Sequence, residues 1–242
     1  MSWLVIAGLA AAVLVGAVTM RATGMGFALV AAPFLTLALG PFHGILVANV
    51  CGTASSLLNL TQVHEHIDWR RVRLLVPAGL IGVIPGAIAV KLLPSAALSI
   101  MVSSIVLIGL GITVFATNLR LPNSPVVAGA GGLASGFMNV TAGVGGPGLV
   151  IYALATEWKH SSFAATAQVQ FAVLGVASLA MKQALPHLGL LGWLVLVVSL
   201  GLGLIGGNLL ARHIDGRAAM RLVIVIALVG AVLAMLQGIA RL

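Results

Sequence analysis

Acidic residues are nearly absent from this chain. Only four of its 242 residues are Asp or Glu, and each lies in or beside a break between apolar segments: Glu65, Asp68, Glu157 and Asp215. A buried carboxylate proton relay is therefore excluded, and carboxylates alone could not assemble a magnesium site. The chain also lacks a GxSxG nucleophile motif and a GK[ST] phosphate loop. We therefore expect neither an enzyme nor an ATP-driven pump.

Cysteine and charge are equally scarce. The single thiol, Cys51, excludes an internal disulfide and a redox relay between paired cysteines. Charged residues make up 7% of the chain, against about a quarter in a soluble domain. Hydrophobic residues make up 61%, and the mean hydropathy is +1.20. The composition therefore predicts an integral membrane protein, and the apolar N-terminus, MSWLVIAGLA, predicts no cleavable signal peptide.

Breaks in hydropathy divide the chain into ten apolar segments, which predict an all-α membrane protein. The segments span 3–20, 25–40, 43–61, 72–92, 97–117, 125–140, 145–157, 162–182, 189–211 and 218–240. The second, sixth and seventh are shorter than the roughly 20 residues that cross a bilayer. Glycine-containing breaks, RATGMG and NVTAGVGG, separate the first segment from the second and the sixth from the seventh. Each of these pairs is either two crossings or one hairpin of half-helices.

Basic residues are distributed unevenly between the two membrane faces if each apolar segment leads the chain from one face to the other. One face collects Arg21, Arg70, Arg71, Arg73, Arg120, Lys159, Arg212, Arg217 and Arg221, and the other collects Lys91, Lys182 and Arg241. Cytoplasmic loops are enriched in Lys and Arg. We therefore expect a multi-pass protein of a bacterial-type cytoplasmic (inner) membrane, with both termini extracytoplasmic. This bias accounts for the net charge of +8, so the expected partner is the lipid bilayer and not nucleic acid. A homo-oligomer is compatible with the sequence.

The two halves of the chain resemble each other weakly. One constant offset aligns Gly24-Met25-Gly26 with Gly143-Val144-Gly145, and also Asn49 with Gln168. We expect a single membrane domain built of two repeats, an N-terminal one over residues 1–120 and a C-terminal one over residues 121–242. Because each repeat holds five segments, an odd number, the repeats would be inverted in the membrane. Glycine-broken helices near the midplane are typical of such transporters.

The glycine breaks predict a site for an anion. Non-helical backbone at membrane depth must line a cavity or be buried in protein. A helix that begins there presents free N–H groups and a partial positive charge, and Pro147 suits the first turn of such a helix. The candidate substrate-binding residues at the breaks are Arg21, Thr23, Gly24, Gly26, Asn139, Thr141, Gly143, Gly145 and Gly146. Close helix packing through small residues is the alternative explanation.

Polar side chains within the apolar segments are further binding candidates, because the bilayer penalises them. Asn49 and Gln168 align across the two halves, and Thr53 and Gln170 lie close to them in the sequence. A neutral amide offers N–H donors without a fixed charge, which suits an anion that must also be released. The alternative is that these side chains join helices by hydrogen bonds.

The histidines are candidates for metal ligands or proton carriers. His64, Glu65 and His66 lie in a loop beside three arginines, so we expect a solvated loop, no metal site and no cofactor. His43, at the start of the third segment, is the candidate for a protonatable group in proton coupling.

The same stretches resemble a known family. The long first apolar segment, GMGFALVAAPFLTLALG after it and the mid-chain GVGGPG break are similar to the sulfite exporter TauE/SafE family of membrane permeases. The stretches ANVCGTASSLLNL, HIDWRRVR and GGNLLARHIDGRAAMRLVIVIALVGAVLAM fit the same pattern. Phe27 departs from the fuller glycine cluster that the family carries in its first half. The resemblance implies a permease for a small sulfur-containing anion such as sulfite, thiosulfate or an organosulfonate.

The membrane potential could drive such a permease without a coupling ion. Moving one negative charge outward is favoured by about 2.3 kcal/mol per 100 mV of inside-negative potential, which sustains a gradient of roughly 50-fold. We therefore expect export driven by the membrane potential. Proton-coupled anion uptake and a non-transporting membrane scaffold subunit are the alternatives.

Overall fold

The computed structural model describes residues 3–23, 26–115, 122–210 and 216–242. These residues form α-helices and one 3-10 turn, with no strand among them. In chain order the helices are α1 Trp3–Thr23, α2 Phe27–Leu39, α3 Pro41–Val63, α4 Trp69–Leu92, α5 Ser95–Phe115, α6 Pro125–Ala142, α7 Gly146–Ala155, α8 His160–Lys182, α9 Gly189–Leu210 and α10 Gly216–Ile239. The turn, His64–His66, lies between α3 and α4. The predicted all-α class is confirmed.

Within the part of the chain that the structure describes, six helices are long and apolar enough to cross a bilayer, namely α1, α3, α4, α5, α8 and α9. Their outer surface is apolar as well. On α9, for example, Leu194, Val197 and Ile205 are 54%, 63% and 62% exposed. Soluble proteins rarely expose apolar patches of this extent, so this surface fits a lipid environment.

Glycines allow two pairs of helices to approach closely. A Cβ atom on Gly82 of α4 would collide with the backbone of Leu133 in α6. A Cβ atom on Gly203 of α9 would lie 2.7 Å from the backbone oxygen of Leu14 in α1. Small residues at such contacts bring helix backbones together, which is how helices associate in membranes without a hydrophobic driving force.

The helix bundle has two ends that can be told apart by their side chains. At one end, here called the His43 end, the rings of His43 and His187 lie 6.3 Å apart. At the other, here called the Arg71 end, the Arg71 guanidinium lies 4.1 Å from the centre of the Trp158 ring. The N–H of Asp68, the N-cap of α4, donates at 3.0 Å to Thr166 near the start of α8. Helices α3 and α8 therefore cross the bundle in opposite directions.

Two helices are too short to cross a bilayer. α2 has 13 residues and α7 has 10, which correspond to about 20 Å and about 15 Å at 1.5 Å per residue, against a hydrocarbon core of about 30 Å. α2 ends at Gly40, directly before α3 begins at the His43 end, and α7 ends beside the Arg71 end. Both helices therefore begin in the interior of the bundle.

Candidate functional site

A cavity of about 40 Å³ lies where α2 and α7 begin. Its walls come from α1 (Met20), the start of α2 (Gly26, Phe27, Ala28, Leu29), α3 (Ala48, Asn49, Gly52, Thr53, Ser56), the α6–α7 break (Asn139, Gly143, Val144, Gly145, Gly146) and α8 (Phe171, Gly175). One water needs at least about 10–15 Å³ of such space, so the cavity matches a group of a few heavy atoms. Both glycine breaks of the sequence open into it.

The start of α2 directs backbone donors at the cavity. The first hydrogen bond of this helix runs from the N–H of Val30 to the carbonyl of Gly26, at 3.2 Å. The N–H groups of Phe27, Ala28 and Leu29 precede that bond, so they have no acceptor within the helix. All three residues line the cavity. Gly26 has φ of 123°, a conformation that a residue with a side chain rarely adopts.

The start of α7 contributes a second set of donors. Gly143 ends α6 in the left-handed conformation, with φ of 73°, and its N–H donates to the carbonyl of Asn139 at 2.8 Å. Gly145 then serves as the N-cap of α7, and Gly146 is its first residue. Pro147 has no N–H and Gly148 does not line the cavity, so Gly145 and Gly146 carry the donors that this end presents to the cavity. The helix dipole adds a partial positive charge at the same place.

Two hydroxyl groups on the cavity wall have no partner. Thr53 and Ser56 of α3 are 8% and 1% exposed, and the oxygen of each side chain is buried without a hydrogen bond. A buried polar group left in this way costs about 1–3 kcal/mol. An oxygen-rich anion in the cavity would accept hydrogen bonds from both hydroxyls and remove that cost.

Two amide groups on the wall have their oxygens occupied by donors from α8. The hydroxyl of Ser178 donates to Oδ1 of Asn139 at 2.8 Å. In the orientation that pairs donors with acceptors, Oδ1 of Asn49 lies 2.8 Å from Nζ of Lys182, and Nδ2 lies 3.2 Å from the carbonyl oxygen of Asn139. The capacity that these amides retain for a ligand therefore consists of N–H donors.

The structure brings together seven of the residues predicted for substrate binding. Those that line the cavity are Gly26, Asn49, Thr53, Asn139, Gly143, Gly145 and Gly146. Thr23 is the last residue of α1, and Gly24 lies outside the described residues. The backbone breaks and the polar face of α3 thus form one site.

Other predicted residues lie away from the cavity. Arg21 donates through Nη1 to Gln62 at 2.8 Å, where α1 and α3 end. The hydroxyl of Thr141 donates to the carbonyl of Phe137 at 2.6 Å within α6. His43 is exposed and lines a separate surface cavity of about 480 Å³ at the His43 end.

The two predicted glutamines also lie away from the cavity. Nε2 of Gln170 donates to the carbonyl of Leu75 at 3.1 Å and so joins α8 to α4. Nε2 of Gln168 lies 3.4 Å from the carbonyl of Ala164 within α8. Gln170 therefore shows the helix-joining role that was the alternative explanation for these residues.

Comparison with known proteins decides the family. The family model described as Sulfite exporter TauE/SafE matches residues 8–235. The chain belongs to this family. The resemblance found in the sequence is thereby confirmed, and the protein is an integral, multi-pass membrane protein of a transporter family. Neither the curated proteins nor the solved structures compared with the chain give a match.

Sequence reasoning missed several residues of this TauE/SafE protein. Gly52 and Ser56 line the cavity beside Asn49 and Thr53. These four positions follow the spacing of one helix face, which is a signal that could have found them. Lys182, counted from the sequence only among the basic residues of one membrane face, was missed as well: its side chain is only 6% exposed and contacts Asn49.

Proposed function

We propose that this protein moves a small sulfur-containing anion, such as sulfite or thiosulfate, across the membrane through the cavity where α2 and α7 begin. One observation carries the proposal: the N-termini of two helices and the unpartnered hydroxyls of Thr53 and Ser56 line one cavity. None of the described residues that line this cavity is Asp or Glu. Convergent N–H and O–H donors without a carboxylate favour an anion over a cation. The sulfur chemistry of the anion is inferred from the family.

The packing of the helices supports two inverted repeats, residues 1–120 and 121–242. α1 packs on α9 as α6 packs on α4, and α2 contacts α10 as α7 contacts α5. α3 packs on α8, and α5 on α10. The two halves can be compared by replacing α1 to α5 with α6 to α10 in order, and the reverse. Under this replacement the first two pairs of contacts change places, and the contacts α3–α8 and α5–α10 stay the same. The cavity lies beside the contact of α3 with α8, so the substrate would bind at the interface of the repeats.

The distribution of basic residues supports one orientation in the membrane. Lys91 and Arg241 line the surface cavity at the His43 end, and Arg70, Arg71 and Arg73 begin α4 at the other end. Because cytoplasmic loops are enriched in basic residues, we assign the Arg71 end to the cytoplasm. Both termini would then be extracytoplasmic, in a cytoplasmic (inner) membrane.

Export driven by the membrane potential is the mechanism that the site supports best. An inside-negative potential favours outward movement of an anion by about 2.3 kcal/mol per charge and 100 mV. Proton-coupled uptake through His43 would require that side chain to lie at the site. The predicted group, His43, is exposed and lies six residues before Asn49 on α3, about 9 Å along the helix.

The test of the proposed function is a panel of anions. The purified full-length protein would be placed in liposomes loaded in turn with sulfite, thiosulfate, sulfoacetate, sulfate or chloride, and efflux would be compared with protein-free liposomes. We expect protein-dependent efflux of sulfite or thiosulfate that exceeds efflux of chloride. Correctly folded protein that moves none of the five anions would contradict the proposal and favour a scaffold role.

A further inference from the structure

A buried basic side chain lies directly behind the cavity wall. Lys182 is the last residue of α8, and its side chain is 6% exposed. Its Nζ lies 2.8 Å from Oδ1 of Asn49, which lines the cavity from α3. Side chains on a helix point back toward the helix N-terminus. The last residue of α8 therefore directs its ammonium group into the bundle.

The position of Lys182 differs from that of a lysine at a membrane surface. A lysine at a helix end ordinarily keeps its charged head in water while its apolar stem covers the protein. Lys91, at the end of α4, is exposed in this way. In Lys182 the charged head is buried and hydrogen-bonded to an amide. Basic residues held inside a membrane protein usually mark a substrate or ion pathway.

The helices around Lys182 supply no negative charge to match it. α3, α6 and α8 contain neither Asp nor Glu. Asp68 contacts α8 at Thr166, sixteen residues and thus about 24 Å from Lys182 along the helix. Glu65 and Glu157 also lie toward that end of α8, and Asp215 is outside the described residues. A buried cation without a nearby carboxylate fits a site whose ligand is the anion.

We propose that Lys182 is a positioning residue that acts through Asn49 and contributes positive charge to the anion site. Its ammonium group holds Oδ1 of Asn49, so the Nδ2 donors of that amide are turned away from Lys182. One of them meets the carbonyl oxygen of Asn139, and the second is available to an anion in the cavity. The positive charge behind the amide also increases the attraction for the anion, since little water separates them.

This inference rests on the proposed function, and the same liposomes test it with sulfite as the probe. Lys182→Met removes the charge and keeps an unbranched side chain. We expect the half-saturating sulfite concentration to rise by about tenfold to hundredfold, the range for loss of a hydrogen bond to a charged group. Lys91→Met is the matched control, because Lys91 is exposed at the His43 end of the bundle and its substitution removes the same charge. It should leave the half-saturating concentration unchanged.

Asn49→Leu and the double variant test whether Lys182 acts through the amide. We expect Asn49→Leu to weaken sulfite uptake similarly, and the two losses to be clearly less than additive, since they remove one shared contact. Fully additive losses, or a Lys182→Met protein whose half-saturating concentration rises less than about threefold, would overturn the inference.

If Lys182→Met does not insert, Asn49→Asp decides, because its carboxylate still accepts from Lys182 but has no N–H donor. Wild-type affinity in that variant would likewise overturn the inference.

The outcomes also separate this inference from the proposed function. Wild-type sulfite flux together with an unaffected Lys182→Met variant would overturn the role of Lys182 and leave the transport function standing. If the wild type moves no anion, the transport function fails. Sulfite binding is then measured by the change in melting temperature that sulfite causes. Stabilisation by sulfite in the wild type but not in Lys182→Met supports the role of Lys182, and equal behaviour of the two proteins overturns it.

Discussion

Gly26 and Gly145 are the N-cap residues of α2 and α7, and both line the same cavity. They occupy matching positions in the two weakly similar halves of the chain. Each begins a helix that is too short to cross a bilayer, so both helix starts lie inside the bundle. The free N–H groups of two broken helices therefore lie at one cavity, and they are the donors on which the proposed anion site depends.

Filling the cavity from α3 should block transport. Gly52 lines the cavity, and a Cβ atom on it would meet only Phe27, at 3.9 Å. Gly52→Val therefore adds side-chain volume to the cavity, and its Cβ atom does so without a backbone collision. We expect sulfite flux to fall at least about tenfold with an unchanged melting temperature. The control is Gly206→Val, since Gly206 has no atom within 4 Å of its Cβ position; equal flux in both variants would contradict this role of the cavity.

Removing either unpartnered hydroxyl should weaken sulfite binding without lowering the stability of the protein. Thr53→Val and Ser56→Ala each remove a donor from the cavity, and we expect half-saturating sulfite to rise about threefold to tenfold, equivalent to about 0.5–1.5 kcal/mol per hydrogen bond. The free energy of unfolding should stay constant or rise, because a buried unpaired group is lost.

Ser55→Ala is the matched control for those two variants. Ser55 is buried and its hydroxyl is also unpartnered, but it does not line the cavity. Its substitution should leave sulfite affinity at the wild-type value. An equal loss of affinity in Ser55→Ala and Ser56→Ala would show that the cavity hydroxyls have no special role.

The contact between α3 and α8 should be sensitive to a single methyl group. A Cβ atom on Gly175 would collide with the side chain of Thr53. We expect Gly175→Ala to lower the free energy of unfolding by about 1–3 kcal/mol through overpacking, and Thr53→Ala in the same protein to restore part of the loss. Thermal unfolding in detergent measures both effects. Gly201→Ala, at a position open to its surroundings, should be neutral; a Gly175→Ala protein of wild-type stability would argue against this packing.

Arg21 should contribute little to substrate binding. Its guanidinium donates to Gln62 and does not line the cavity. We expect Arg21→Gln to change half-saturating sulfite by less than about twofold and stability by no more than about 1 kcal/mol. Concentration-dependent sulfite uptake measures the first effect. A tenfold loss of affinity would place Arg21 on the substrate path.

The sequence predicts the part of the site that depends on local chemistry. The glycines and the proline at 143–148 interrupt the helix whatever its neighbours are, because the interruption depends on the backbone conformations of these residues and not on tertiary contacts. Asn49 and Thr53 were found because polar side chains are rare inside apolar segments, and Asn139 was found because it lies beside the glycine break. The same reasoning identified the six described helices that are long and apolar enough to cross a bilayer, since hydropathy depends little on tertiary contacts.

The rest of the site depends on how each helix is rotated against its neighbours. Gln170 is as polar as Asn49, but it faces α4 and bonds to Leu75. Lys182 is the last residue of an apolar segment, and hydropathy does not show that its side chain is buried; the packing of α3 on α8 buries it. No pattern within one helix records these orientations, and they were therefore not predicted.

The most direct measurement is the steady-state distribution of sulfite across proteoliposomes under an imposed potential. With 100 mV across the membrane we predict that sulfite moves toward the positive side until its monoanion differs by roughly 50-fold in concentration, and that Gly52→Val slows the approach to this distribution at least about tenfold. The account would be contradicted if the distribution of sulfite across membranes that contain folded protein did not change with the potential. It would also be contradicted if Gly52→Val moved sulfite as fast as the wild type does.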